Sequence, residues 1–183
     1  MISVPHEVNR LSLATGTSYD DFRARYEAAV PWFEGTGDAT GWDAVRRAAD
    51  ERAPHGFLLY AVVDAEPIMR LAGHTARCVT YLMGNHTIAE RMYRHNPAIM
   101  LYAPLRTAIH EDGAGTTWFS IDQPSTRFDS FGDPAIAVVG AELDAKLAAL
   151  LEYLGVAVPG DAPPVAASCL RARPGWPLRA RPR

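Results

Sequence analysis

The chain has 183 residues, 48% hydrophobic and 21% charged, with a formal net charge of −3. It is long enough to bury one full core, and no apolar run approaches the roughly 20 residues of a membrane helix. Five arginines and one acid, Asp161, lie beyond residue 158, so that stretch carries +4 and the rest −7. An acidic body argues against nucleic-acid recognition, which needs a basic face.

The opening residues MISVPHEVNR lack a basic segment followed by an apolar one, so no secretory signal is read there. Cys78 and Cys169 are far apart, which argues against a disulfide framework. A soluble protein of a reducing cytoplasm is the expectation.

In chain order, residues 7–14 alternate polar and apolar and predict a half-buried strand. Ser18 reads as the N-cap of a helix with Asp20 and Asp21 in its first turn and Phe22, Tyr26, Ala29 and Val30 on one face. Pro31 ends it. Residues 34–41 form a Gly-rich loop, 42–53 a second helix, and 56–63 (GFLLYAVV) a strand expected to be buried on both faces. Residues 64–72 predict a short helix with Asp64 as its cap, 77–83 a strand, and 86–95 a helix. A hairpin follows, 104–111 and 116–122 around Asp112-Gly113-Ala114-Gly115. The last helix is the clearest: Asp133 caps it, Pro134 opens it, apolar residues recur at threes and fours, and Gly155 closes it. From residue 157 the Pro/Arg-rich composition predicts a disordered tail, leaving 1–156 as one domain. This order predicts an α+β two-layer sandwich, with a mixed or antiparallel sheet packed by helices mainly on one face.

The densest collection of polar groups at an element junction is Gly84-Asn85-His86, where a strand breaks into a helix. Such a break aims backbone N–H groups and side chains at one point. The motifs around it are Gly84-Asn85, Ala103-Pro104-Leu105-Arg106 and Asp122-Gln123-Pro124. In this order they resemble a bacterial and archaeal family, domain of unknown function 302, with the TT1751-like fold. The resemblance covers about residues 56–156, leaving 1–55 as an N-terminal extension. It implies a compact α+β domain, often paired as a dimer or tandem repeat, and no settled activity or cofactor. Two positions depart from the family pattern: His86 stands where proline is usual, and Gln123 interrupts the Asp-Pro pair.

His86 and Glu90 are spaced i, i+4 and are the candidate catalytic pair, with Glu90 orienting the imidazole. The alternative places Glu90 in an ion pair with Arg94. Asn85 is either a helix cap or a ligand-orienting amide. Arg106 is a candidate fork for a carboxylate, or a partner of Glu111 or Asp122. Tyr102, Asp122 and Ser125 sit at neighbouring strand ends and complete the candidate ligand-binding set. Cys78 reads as a small buried hydrophobe. No GxGxxG, Walker or GxSxG pattern occurs.

Three readings follow. The first is a small-molecule-binding domain, with acid–base catalysis as its extension. The second is a non-catalytic homodimeric interaction module. The third is a metal protein using His86 and Glu90 with His74 or His110, although no metal-ligand pattern supplies a full set.

Overall fold

A computed structural model describes residues 1–37 and 40–157. The expected tail, after its first residue, lies outside them. Five strands, β1 (Arg10–Ala14), β2 (Leu58–Asp64), β3 (Cys78–Gly84), β4 (Leu105–Glu111) and β5 (Thr117–Asp122), make one sheet in the order β1-β5-β4-β3-β2. Every ladder in it is antiparallel, so of the two sheet types anticipated it is the antiparallel one. One isolated parallel bridge, Trp32 to Leu59, lies beside it.

Alternation decides which face the helices cover. Val79, Tyr81 and Met83 of β3, Leu105, Thr107 and Ile109 of β4, and Phe119 and Ile121 of β5 are buried, while the residues between them along each strand are partly or fully exposed. Onto the buried face pack α1 (Tyr19–Ala29) with Phe22 and Tyr26, and α6 (Pro134–Tyr153) with Ile136, Val139, Leu143, Leu147 and Leu150. The Tyr26 hydroxyl, inside this core, is within 3.0 Å of Thr107 Oγ1, so these two buried hydroxyls satisfy each other. The caps behave as their residue types require. Ser18 Oγ accepts from the Asp21 N–H, and an Asp133 carboxylate oxygen accepts from the Ala135 N–H.

Two expectations need correction. β2 is buried only at its start; Val62, Val63 and Asp64 are exposed because β2 is the edge of the sheet. A continuous apolar run is therefore not evidence of burial on both faces when the strand ends the sheet. The helix after β2, α3 (Glu66–Leu71), starts two residues later than expected, and Asp64 ends the strand while its carboxylate accepts from the Glu66 N–H. The remaining helices are α2 (Trp42–Arg52), α4 (His86–Tyr93) and the short α5 (Pro124–Phe128), which packs against α6. Gly140 makes that last contact possible, since a Cβ there would lie 3.1 Å from Ser125 Cα and 3.2 Å from Phe128 Cβ.

Candidate functional site

The β3–α4 junction carries the first group of candidate residues. Asn85 caps α4: its Oδ1 accepts from the Thr87 N–H at 2.9 Å and the Thr87 hydroxyl at 2.7 Å, while its Nδ2 donates to Gly56 O at 3.2 Å. Buried to 8% exposure, it ties the start of α4 to the turn before β2. The amide's hydrogen-bonding capacity is thus largely spent on the fold.

His86 opens α4, and its partner is Tyr60, not Glu90. Register slips between Leu59 and Ala61, so Tyr60 is the extra residue of a β-bulge on β2. A bulge re-aims the side chain it carries, and here the Tyr60 hydroxyl lies 3.0 Å from the His86 backbone N and 2.8 Å from Nδ1. The hydroxyl has one proton. Accepting the backbone N–H and donating to Nδ1 uses each group once and leaves the ring proton on Nε2. That nitrogen is buried without a partner among the described residues, with the rings of Phe33 and Trp42 centred 5.0 and 6.4 Å from the imidazole. Burial pushes the His86 pKa below its ordinary value and the Tyr60 pKa above, so both are neutral near pH 7.

Beside this dyad lies a cavity of about 230 Å³. Tyr60, His86 and Gly84 form one wall. Ile88, Ala89 and Met92 of α4 form a second, and Pro104, Leu105, Phe128 and Leu143 close it. The lining is almost wholly apolar, and the volume exceeds the roughly 150 Å³ that holds a benzene molecule in an engineered cavity.

Glu90 turns elsewhere. It pairs with Arg94 (2.5 Å) along the helix and lines a broad polar cleft between α2, α4 and α6, of about 830 Å³, with Arg91, Glu142 and Lys146. His86 and Glu90 therefore share a helix but no hydrogen bond. Among the described residues, no group of three or more His, Cys, Asp or Glu converges as a metal site requires. Cys78 is half-buried, and burial together with the Asp64 carboxylate raises its thiol pKa, as befits an unreactive cysteine.

The second group gathers on the far side of the Met100–Leu105 segment. Tyr102, Arg106 and Asp122 line a separate basin of about 330 Å³ with Arg127. Asp122 pairs with Arg127, whose guanidinium also lies over the Tyr102 ring at 5.0 Å. Ser125 joins neither group. Its hydroxyl and N–H are bound to the Asp144 carboxylate at 2.6 and 2.9 Å, holding α5 to α6. Tyr60, Phe33 and Arg127 were not singled out from the sequence. A bulge has no local signature in LLYAV, and Phe33 reaches His86, and Arg127 the Tyr102 ring, only through the tertiary fold.

An antiparallel five-stranded sheet with helices on one face, and an apolar cavity at the strand–helix junction, defines an α+β two-layer protein of the type the motifs suggested. Residues 39–154 match the family described as domain of unknown function DUF302, well over half of the chain, and the protein belongs to that family. Among solved structures, the crystal structure of an uncharacterized conserved DUF302 protein from Bacillus stearothermophilus matches at a TM-score of 0.58 and 16% identity. The match covers 78% of this chain and 95% of the other. At that identity the likeness speaks to the fold alone. No curated protein matches the chain. Among the described residues, no helix is long and apolar enough to cross a membrane.

Proposed function

We propose that the protein is a small-molecule-binding domain whose site is the apolar cavity at the Gly84-Asn85-His86 junction. The observation that carries this reading is the cavity itself: about 230 Å³, nearly all apolar, beside a neutral histidine held by a bulged tyrosine. A cavity of this size suits an uncharged ligand of roughly benzene to indole dimensions, because a buried charge there would lack a partner. Asn85 serves the site by fixing the start of α4. Any acid–base chemistry falls to His86 positioned by Tyr60, with Glu90 withdrawn into its pair with Arg94.

The test is saturation-transfer NMR with toluene and indole on the full chain and on Ala89→Leu, which fills the cavity from α4 while keeping a good helix former. Saturation transfer to the wild type and its loss in a folded Ala89→Leu variant is the expected result. Equal transfer in both, or none in either, would overturn the reading.

A second reading, an interaction module that pairs with another copy, has its own support. The outer half of β2 and the adjoining α3 expose Val63 (60%), Ile68 (68%) and Leu71 (90%), and an uncovered apolar edge is a common association surface. Light scattering across a concentration series tests it: a constant monomer mass at every concentration rules it out.

A further inference from the structure

On the open face of the sheet, the register places several side chains in one row. Arg10 of β1 stands opposite Asp122 of β5, and Leu82 of β3 opposite Arg106 of β4. Thr107 pairs with Ile121, so the next step of the same ladder sets Arg106 facing Asp122, and both line the basin described above. Arg127 reaches the same carboxylate from α5. The Arg127 guanidinium thus pairs with this acid, and the register sets Arg10 and Arg106 across from it on the two flanking strands. Only Arg127 is paired with it; among the described residues, neither Arg10 nor Arg106 has an ion-pair partner.

The local charge of this cluster is +2 on a chain whose residues before the tail sum to −7. Such a concentration is not explained by a generally basic surface. Nor is it neutralised within the fold: Asp122 is the one acid of the cluster and its ion pair is with Arg127, while β1 and β4, which carry Arg10 and Arg106, flank β5 on either side. Arg127 is fixed in place by Asp122 and by the Tyr102 ring beneath it, so it presents its remaining donors with little further loss of freedom. Exposed Leu101 (77%) and half-exposed Met100 (49%) form an apolar rim beside the cations.

We infer that this basin is an anion site, separate from the apolar cavity, that takes a dianionic group with two or more oxygens: a phosphomonoester or a dicarboxylate. Arg106 and Arg127 make the direct contacts, as guanidinium forks suit such oxygens. Arg10 adds charge from the sheet edge. Asp122 is a positioning residue that orients Arg127. The site does not depend on whether the cavity binds anything, so the two readings stand or fall separately.

The experiment follows arginine Nε–Hε resonances of the labelled full chain at pH 7, titrated with sodium phosphate, disodium succinate, or sodium chloride at matched ionic strength. Saturable shifts of Arg106 and Arg127 with phosphate or succinate, and none with chloride, are expected. Response to only one of the two anions identifies the class. Arg106→Gln should weaken binding by about tenfold, the worth of one charge-assisted contact. Arg46→Gln, in the polar cleft, should leave it unchanged. Arg106 is exposed, so its variant should keep the wild-type melting temperature. Shifts that fail to saturate, that chloride reproduces, or that saturate with wild-type affinity in Arg106→Gln overturn the inference.

Discussion

Asn85→Ala should destabilise the fold substantially, although the residue sits at a junction that reads as a ligand site. The substitution removes the α4 cap, which costs about 1 kcal/mol. It also strips the Thr87 hydroxyl and Gly56 O of their partner. Water reaches part of this region, so those losses add about 1–2 kcal/mol rather than a full desolvation penalty for each group. The sum, about 2–3 kcal/mol, lowers Tm by about 4–12 °C for a domain of this size. Urea unfolding at pH 7 measures it, with Asn85→Asp as the internal control. The aspartate keeps an acceptor for Thr87 and suits the helix dipole, but it cannot donate to Gly56 O, so it should lose about half as much. A loss below about 0.5 kcal/mol for Asn85→Ala, the range of an ordinary surface change, would refute the assignment of Asn85 as the clamp between α4 and the β2 turn.

Tyr60→Phe should release the His86 ring. Imidazole nitrogen shifts in the wild type should report an Nε2–H tautomer, and the variant a mixture, with a stability cost of about 1 kcal/mol for the lost hydroxyl bonds. Stability should also fall as pH drops below the ordinary histidine value of about 6.5. Burial lowers the His86 pKa in the folded state, so in that window the unfolded chain binds more protons. His86→Gln should flatten this part of the curve, and an unchanged slope would refute it. Gly140→Ala gains about 1 kcal/mol of helix propensity, but its Cβ meets the α5 backbone at 3.1 Å. Overpacking of that kind costs about 1–3 kcal/mol, so thermal unfolding should show net destabilisation or no gain.

What the sequence disclosed followed the range of the forces involved. The α6 helix was legible from Asp133-Pro134 to Gly155 because caps and a 3.6-residue period are local. So was the hairpin, whose Asp112 carboxylate gathers the N–H groups of Ala114, Thr116 and the Trp118 ring. The junction at Asn85 was located for the same reason. The composition of the site was not, because it depends on register. One slipped residue on β2 replaces Glu90 with Tyr60 as the histidine's partner, and no short-range pattern encodes that slip. Candidates taken from neighbouring strand ends divided for a related reason. Alternation sends Arg106 and Asp122 to the open face, while the cavity lies where the helices pack. Gln123-Pro124-Ser125 looked like a strand end and instead opens α5.

The pairing of the first strand with the last has a consequence for how the protein is made. Arg10 finds its partner at Asp122, more than a hundred residues later. Until β5 emerges, β1 has no ladder to join and α1 lacks much of the sheet on which Phe22 and Tyr26 lie. A nascent chain stopped before Thr117 therefore holds its first thirty residues, apolar stripe included, without a completed sheet. Contacts this distant slow folding, and they leave the early segment open to wrong partners during synthesis. The assembly of this small domain is timed by its final hairpin, not by its N-terminus.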